Sequence, residues 1–310
     1  MVKTPVLFET FARPDYARQV WAAIKASKPR KLYFYSNKAR AEKPEEVKNN
    51  EEIRSWAKEI DWECDLHTWF RDEYVDVYTS LRGAVDWVCE NEEEWIALEE
   101  DVVPTPAFFS FCDQMIEYYR NDKRVWYVSG DNIFNLNPSG YDYIFTHYHW
   151  MYGWATWRDR WRSIDWDNSH IDEMILQGIY AYFFKTKKQC KLRRDEKIRL
   201  KDFIERTKCW DFYFGMVCDQ NNAVGVVPKM HLVTNIGLSG VHHKKAKWSY
   251  VNTKSSYVGN NYLIEKRPPF VFADYEFDYL DWYNERKQKP LWRRLLIWIK
   301  SLIRKVLPSI

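Results

Sequence analysis

Trp95-Ile96-Ala97-Leu98-Glu99-Glu100-Asp101 is the stretch that decides the fold. A short apolar run rises out of the acidic patch Glu92-Glu93-Glu94 and ends in three consecutive carboxylates. Val102-Val103-Pro104-Thr105-Pro106 then makes a Pro-rich turn into Ala107-Phe108-Phe109. An apolar run bounded by turn signals reads as a buried strand. Carboxylates at its carboxyl end would stand at the mouth of an α/β sheet, where such folds bind ligands. Clustered acids are most often a solvated loop. Their position favours a second use, because hard divalent cations take oxygen ligands and bridge one or two carboxylates to substrate phosphates.

Outward from that run, strand-like and helix-like segments alternate. Val6–Phe11, Lys31–Ser36, a weaker Glu63–Trp69 and Val125–Ser129 read as strands. Between them, Tyr16, Val20 and Ile24 fall at helical spacing, 41–58 is a charged helix, and Val77–Glu90 and Pro106–Tyr119 are amphipathic or apolar helices. This rhythm predicts βαβ units and a mainly parallel central sheet flanked by helices. No internal repeat and no GxGxxG is present, so a dinucleotide-binding half is not expected. Beyond 135 the rhythm changes. Tyr141–Thr146 and Val224–Val227 read as strands, 147–161 is crowded with aromatics, and 168–208 reads as helices. The expected organisation is one domain over 1–285 in two halves, 1–134 and 135–285, the second able to hold a second substrate, followed by a tail at 286–310.

The 310 residues are ample for a core, and 18% are aromatic, with 17 Trp and 21 Tyr against 10 Gly. That excess suits sugar stacking and a bulky core alike. The six cysteines form no CxxC pair and read as reduced thiols of a cytosolic chain. The first residues lead into a strand without a secretory signal, and no apolar run approaches 18 residues. A cytoplasmic location is therefore expected. The net charge of +3 hides an asymmetry: from Arg286 onward there are eight basic residues and no acid, leaving 39 basic against 44 acidic over 1–285. An acidic body excludes a nucleic-acid binder. Within 290–308, Leu291, Leu295, Trp298, Leu302 and Val306 recur at helical steps, opposite Arg293, Arg294, Lys300, Arg304 and Lys305. This pattern predicts a basic amphipathic helix able to lie in an anionic membrane surface, peripheral on the inner face of the cytoplasmic membrane, or else docked on the domain.

Six short stretches now carry a resemblance: Thr10-Phe11-Ala12-Arg13-Pro14, Leu98-Glu99-Glu100-Asp101-Val102-Val103-Pro104, Val128-Ser129-Gly130-Asp131-Asn132, Gly153-Trp154-Ala155-Thr156-Trp157-Arg158, Trp210-Asp211-Phe212 and Asn235-Ile236-Gly237. In this order they resemble bacterial family 2-like, N-acetylglucosaminyltransferase I-like glycosyltransferases of the GT-A fold. The resemblance implies an enzyme of the hexosyltransferase type. It would move a sugar from a nucleotide-diphospho-sugar, a UDP-sugar by preference, to a membrane- or lipid-linked glycan acceptor, with Mn²⁺ or Mg²⁺. Asp101 would be the direct metal ligand, completed by His243 or His242. Thr10, Arg13, Asn37, Arg40, Glu99 and Glu100 fall on the donor side; Asp131, Gly153, Trp154, Trp157 and Trp210 fall on the acceptor side, although two Trp at i and i+3 are also ordinary packing. Asp211 matches the general base of an inverting transfer, and an N-cap for a helix starting at Phe212 is a compatible role. Two positions depart from the family pattern: Glu100 stands where Asp is usual, and Asn37-Lys38 stands where Asp-Gly is usual. They motivate the alternative of a non-catalytic nucleotide-sugar or glycan-binding protein on a degenerate GT-A fold.

Overall fold

A computed structural model of the chain describes residues 1–167, 169–207, 209–237, 253–255 and 257–288, with the side chains of 199–207 and 286–288 left aside. In chain order the elements are β1 (Val6–Thr10), α1 (Pro14–Ser27), β2 (Lys31–Ser36), α2 (Pro44–Ser55), β3 (Asp65–Phe70), α3 (Val77–Asn91), β4 (Glu94–Glu99), β5 (Val102–Pro104) and α4 (Pro106–Tyr119). There follow β6 (Val125–Ser129), β7 (Tyr143–Thr146), β8 (Trp154–Trp157), α5 (Arg158–Arg162), α6 (Ile171–Leu176), α7 (Lys187–Thr207), α8 (Trp210–Gln220), β9 (Val224–Pro228), β10 (Val233–Asn235) and α9 (Tyr275–Gln288).

Eight strands form one sheet in the order β3-β2-β1-β4-β8-β6-β9-β7. Six run in one direction, while β7 and β8 run against their neighbours. The sheet is therefore mainly parallel, as the alternation of segments predicts, with β7 and β8 as antiparallel exceptions that it does not. The reason is local. Residues 154–157 sit in an aromatic run with no period of two, yet they pair with both β4 and β6. The 134/135 boundary falls between β6 and β7, and both strands belong to this sheet.

Both faces of the sheet are covered, which is why its strands read as near-continuous apolar runs. On one face Val6, Phe8, Leu32, Phe34, Ile96 and Leu98 pack against Trp21 of α1 and Phe108 and Phe111 of α4. On the other, Leu7, Tyr33, Tyr35, Trp95 and Ala97 pack against Val85 and Val88 of α3 and Phe214 of α8. The strand order reverses between β1 and β4, so their carboxyl ends leave a crevice between the diverging loops. Local chemistry fixes what enters it. Pro14 opens α1, Asp76 caps α3 by accepting from the amides of Tyr78 (3.0 Å) and Thr79 (3.1 Å), and Thr105 caps α4.

β5 pairs antiparallel with β10, Asn235 opposite Val102, and brings the Asn235-Ile236-Gly237 turn beside the acidic triplet. Helices α6 and α7 build a small core of their own around Ile171, Met174, Tyr180, Phe183 and Phe184. A buried ion pair, Lys197 Nζ to Asp219 at 3.0 Å, ties α7 to α8. Burial opposes the Asp219 charge, but Lys197 and Arg193 hold it well below the usual carboxylate range. All six cysteines are free thiols, four of them buried. Among the described residues, no helix is long and apolar enough to cross a membrane. The 290–308 stretch lies outside the described residues.

Candidate functional site

The crevice is built on the ends of β1 and β4. Side chains alternate across a strand, so Glu99 joins Leu7, Ala97 and Glu9 on the α3–α8 face. Glu9 and Glu99 are register partners on adjacent strands, which lie about 4.8 Å apart. Glu9 is 5% exposed and its Oε1 has no hydrogen-bond partner. Burial first, and then the charge of Glu99, push its carboxyl well above the ordinary range.

Glu99 keeps some solvent contact at the lip of the crevice. Its carboxyl is pushed up to about 8, by desolvation first and then by Asp101 and Asp211. The last of these matters most for the site. Asp211 arrives from the first turn of α8, more than a hundred residues along the chain, close enough to act on Glu99. Helix α8 begins at Trp210 with Cys209 at the cap position, not at Phe212. Asp211 therefore lies inside the first turn and accepts from the Phe212 amide at 3.0 Å. The N-cap expectation fails because the helix starts two residues early.

Tyr152 completes the group. Its hydroxyl is held in the neutral form, by burial first and then by Asp131, Glu99, Asp211 and Asp101. Its amide donates to Asp131 Oδ2 at 2.8 Å. Asp131 is 1% exposed, and burial drives its carboxyl well above the usual value, so it brackets the Tyr152 loop from below. Gly153 holds a positive φ of 67°, and a Cβ there would come within 2.9 Å of Val233, so the loop after Tyr152 needs glycine.

Glu100 and Asp101 turn towards α1. Arg13 Nε donates to Glu100 Oε1 at 2.5 Å, and an Arg13 guanidinium nitrogen lies 2.9 Å from Asp101 Oδ2. The Phe11 amide donates to Glu100 Oε2 at 2.8 Å. The two carboxylates hold the guanidinium protonated against its burial. Glu100 is thus committed to fixing the β1–α1 loop. Gly237 packs on the other side of Asp101: a Cβ there would fall 2.2 Å from Oδ2. The Ile236 amide donates to the Asp101 carbonyl at 2.8 Å.

The remaining expected residues lie elsewhere. The Thr10 hydroxyl donates to the Tyr35 carbonyl at 2.9 Å, inside the sheet. Asn37 is buried, donating to the Val75 carbonyl at 2.8 Å and accepting from the Lys38 amide, so it braces the approach to α3. Arg40 pairs with Glu46 and lies over the Tyr74 ring. Trp154 and Trp157 belong to a strand, not a helix, and so enter opposite cores. Trp154 stacks on Trp210 with centroids 4.9 Å apart, and the Trp157 indole donates to the Ile116 carbonyl. Both are at most 2% exposed. His242 and His243 lie outside the described residues.

The structure therefore brings Glu99, Asp101, Asp211, Asp131 and Arg13 together and disperses Thr10, Asn37, Arg40 and Trp157. Glu9 and Tyr152 are the members that sequence reasoning does not find. Their signals are present but faint: a lone acid inside an apolar strand, and a Tyr directly before a Gly-Trp pair. Among the described residues, no group of three or more His, Cys, Asp and Glu is disposed to hold a metal ion. Asp101 supplies the kind of oxygen donor that a hard cation takes, and Gly237 packs against its carboxylate.

No protein-family model matches the sequence, and no curated protein matches it. Partial similarities to solved structures exist. HddC from Yersinia pseudotuberculosis aligns at 10% identity over 42% of this chain and 57% of its own, with a TM-score of 0.27. The glycosyltransferase GlyE of Streptococcus pneumoniae TIGR4 aligns at 14% identity over 53% of this chain and 36% of its own, with a TM-score of 0.29. UDP-glucose pyrophosphorylase from Acinetobacter baumanii aligns at 10% identity over 74% and 86%, with a TM-score of 0.35. In the first two of these alignments the chain spans less than two thirds of the other protein. Overlaps of this extent assign nothing, and the functional reading below rests on the residues of the crevice.

Proposed function

We propose that the chain is a glycosyltransferase that moves a sugar from a nucleotide-diphospho-sugar, a UDP-sugar by preference, to a membrane- or lipid-linked glycan, with inversion. The observation that carries this reading is the convergence of Glu99 and Asp101, at the end of β4, with Asp211 from α8 across one crevice. A binder of nucleotides alone has use for the first two. It has no use for a third carboxylate delivered from the distant half of the chain.

In this reading Asp211 takes the proton of the acceptor hydroxyl as that oxygen attacks the anomeric carbon. The new glycosidic C–O bond forms, the anomeric carbon–phosphate oxygen bond breaks, and the electron pair leaves on the nucleoside diphosphate. Glu99, whose carboxyl is pushed upward by burial and then by Asp101 and Asp211, stands beside Asp211 and can hydrogen-bond a sugar oxygen. Arg13, fixed by Glu100 and Asp101, faces the diphosphate and offsets charge on it. Asp101, with His243 or His242, would hold a Mn²⁺ or Mg²⁺ ion, whose chemistry is to stabilise charge on the departing diphosphate. The acceptor is expected at the membrane surface, through residues 290–308.

One observation favours a second reading, a non-catalytic nucleotide-sugar or glycan binder. Asp101 already has a cationic partner in Arg13, and the described residues alone complete no metal site. Asp211→Asn separates the two. The transferase reading expects turnover to fall by about 10²–10⁴-fold while the donor dissociation constant, by calorimetry, is unchanged. Unchanged turnover removes Asp211 from the chemistry. Absence of turnover in the unsubstituted protein, with donor still bound, selects the binder.

A further inference from the structure

Residues 257–274 form a strap that runs along α4 and returns to the end of β7, and it is firmly pinned. The Tyr262 ring packs edge-on against Phe111 at 4.9 Å, and Gln114 Nε2 donates to the Tyr262 carbonyl at 2.8 Å. The amides of Glu265 and Lys266 both donate to Asp142 Oδ2 at 2.7 Å. The Arg267 guanidinium lies 4.2 Å over the Tyr118 ring, and the Asp274 amide donates to the Phe145 carbonyl at 2.8 Å.

Its side chains divide by position. Tyr262, Ile264, Val271 and Ala273 pack on the core. Their neighbours Leu263, Phe270 and Phe272 face outward, 67%, 77% and 63% exposed, and Val258 is 95% exposed. Scattered exposed apolar residues need no explanation, but a concentrated set does. The backbone bonds above prevent the strap from turning them inward. Lys266 and Arg267 sit between the two apolar groups. The strap leads through α9 to a stretch with eight basic residues and no acid after Glu285.

We propose that the strap is a membrane-contacting surface, whose Leu263, Phe270 and Phe272 enter the headgroup region of an anionic bilayer with the exposed Lys266 at the lipid phosphates. Aromatic rings at the interface and cations at the headgroups are what such a surface accepts. This inference is independent of the catalytic reading, since it uses no residue of the crevice.

The test is amide hydrogen exchange on the full chain, with and without vesicles of phosphatidylglycerol and phosphatidylethanolamine, together with vesicle co-sedimentation of F270S/F272S. The inference expects slower exchange over 257–274 on the vesicles. It also expects affinity to fall by about tenfold or more in the variant, which should keep its thermal stability because both side chains are exposed. Three results overturn it: unchanged exchange over 257–274 on bound vesicles, which leaves the contact to another segment; no vesicle binding at all; or a wild-type dimer in sedimentation velocity that F270S/F272S dissolves, which gives the surface to a second copy of the chain.

Discussion

At the residue scale, the crevice works by crowding. Glu9, Glu99, Asp101 and Asp211 lie close enough that burial and mutual repulsion keep some of them protonated, and Arg13 neutralises the outer pair. Gly237 is the position where this arrangement is most easily disturbed. Its missing Cβ leaves room for the Asp101 carboxylate, which would otherwise meet it at 2.2 Å. Gly237→Ala should therefore displace Asp101 and weaken nucleoside diphosphate binding by about tenfold or more, a loss of roughly 1.4 kcal/mol. Isothermal titration reads this directly, and undiminished affinity would show that the Asp101 position does not govern the donor site. The acids of β4 and Asp211 were legible from the six colinear stretches. Glu9 and Tyr152 were not, because their importance comes from who stands opposite them in the folded sheet and loop, and one chain read along its length does not display that.

At the scale of the element, β8 and α9 teach different lessons. Trp154 and Trp157, three apart, suggest one helix face or a sugar platform. As strand residues they point to opposite sides, each into a core. A short strand inside an aromatic run has no alternation to betray it, so tertiary pairing decides. Helix α9 carries two carboxyls that burial forces upward, Asp278 to about 8 and Asp281 to about 7, with Asp274, Asp281 and Glu285 as acidic neighbours. Asp278 accepts from the Thr146 hydroxyl and the His147 amide, and Asp281 from the Trp150 indole at 3.0 Å. Folded pKa values above the unfolded ones mean that the folded state binds more protons in between. Their stabilising contribution is full below about pH 4 and is lost as pH rises through 7 and 8. Tm should therefore fall between pH 6 and 9, and Asp278→Asn should flatten that fall. A tenfold difference in proton affinity between the folded and unfolded states is worth about 1.4 kcal/mol, and even a fraction of that moves Tm by a measurable amount. A Tm independent of pH over that range, for the unsubstituted protein, would contradict the placement of α9.

At the scale of the whole molecule, the strand order creates the site. Strands β1, β2 and β3 step one way from the centre and β4 the other, so the loops after β1 and β4 part at the switch point of the sheet, where open α/β folds take their ligands, and the Arg13–Asp101 ion pair stands at that point. That half was legible early, because β1, β2 and β3 are each followed by a helix whose start is signalled by Pro or Asp. The half that follows was legible only in pieces. Its strands return antiparallel, and the helices α6 and α7 interrupt it with a separate small core. The central claim is that this crevice takes a nucleoside diphosphate with the help of a cation at Asp101. The measurement that tests it most directly is thermal unfolding against a panel of nucleoside diphosphates, each with Mn²⁺, Mg²⁺ or chelator, in the unsubstituted protein and in Asp101→Asn. Ligand at a hundred times its dissociation constant adds about 2.7 kcal/mol, a shift of several degrees. We expect one nucleotide to give that shift with the cation, none with chelator, and none in Asp101→Asn. A flat panel from well-folded protein, or a shift that Asp101→Asn leaves intact, would contradict the assignment.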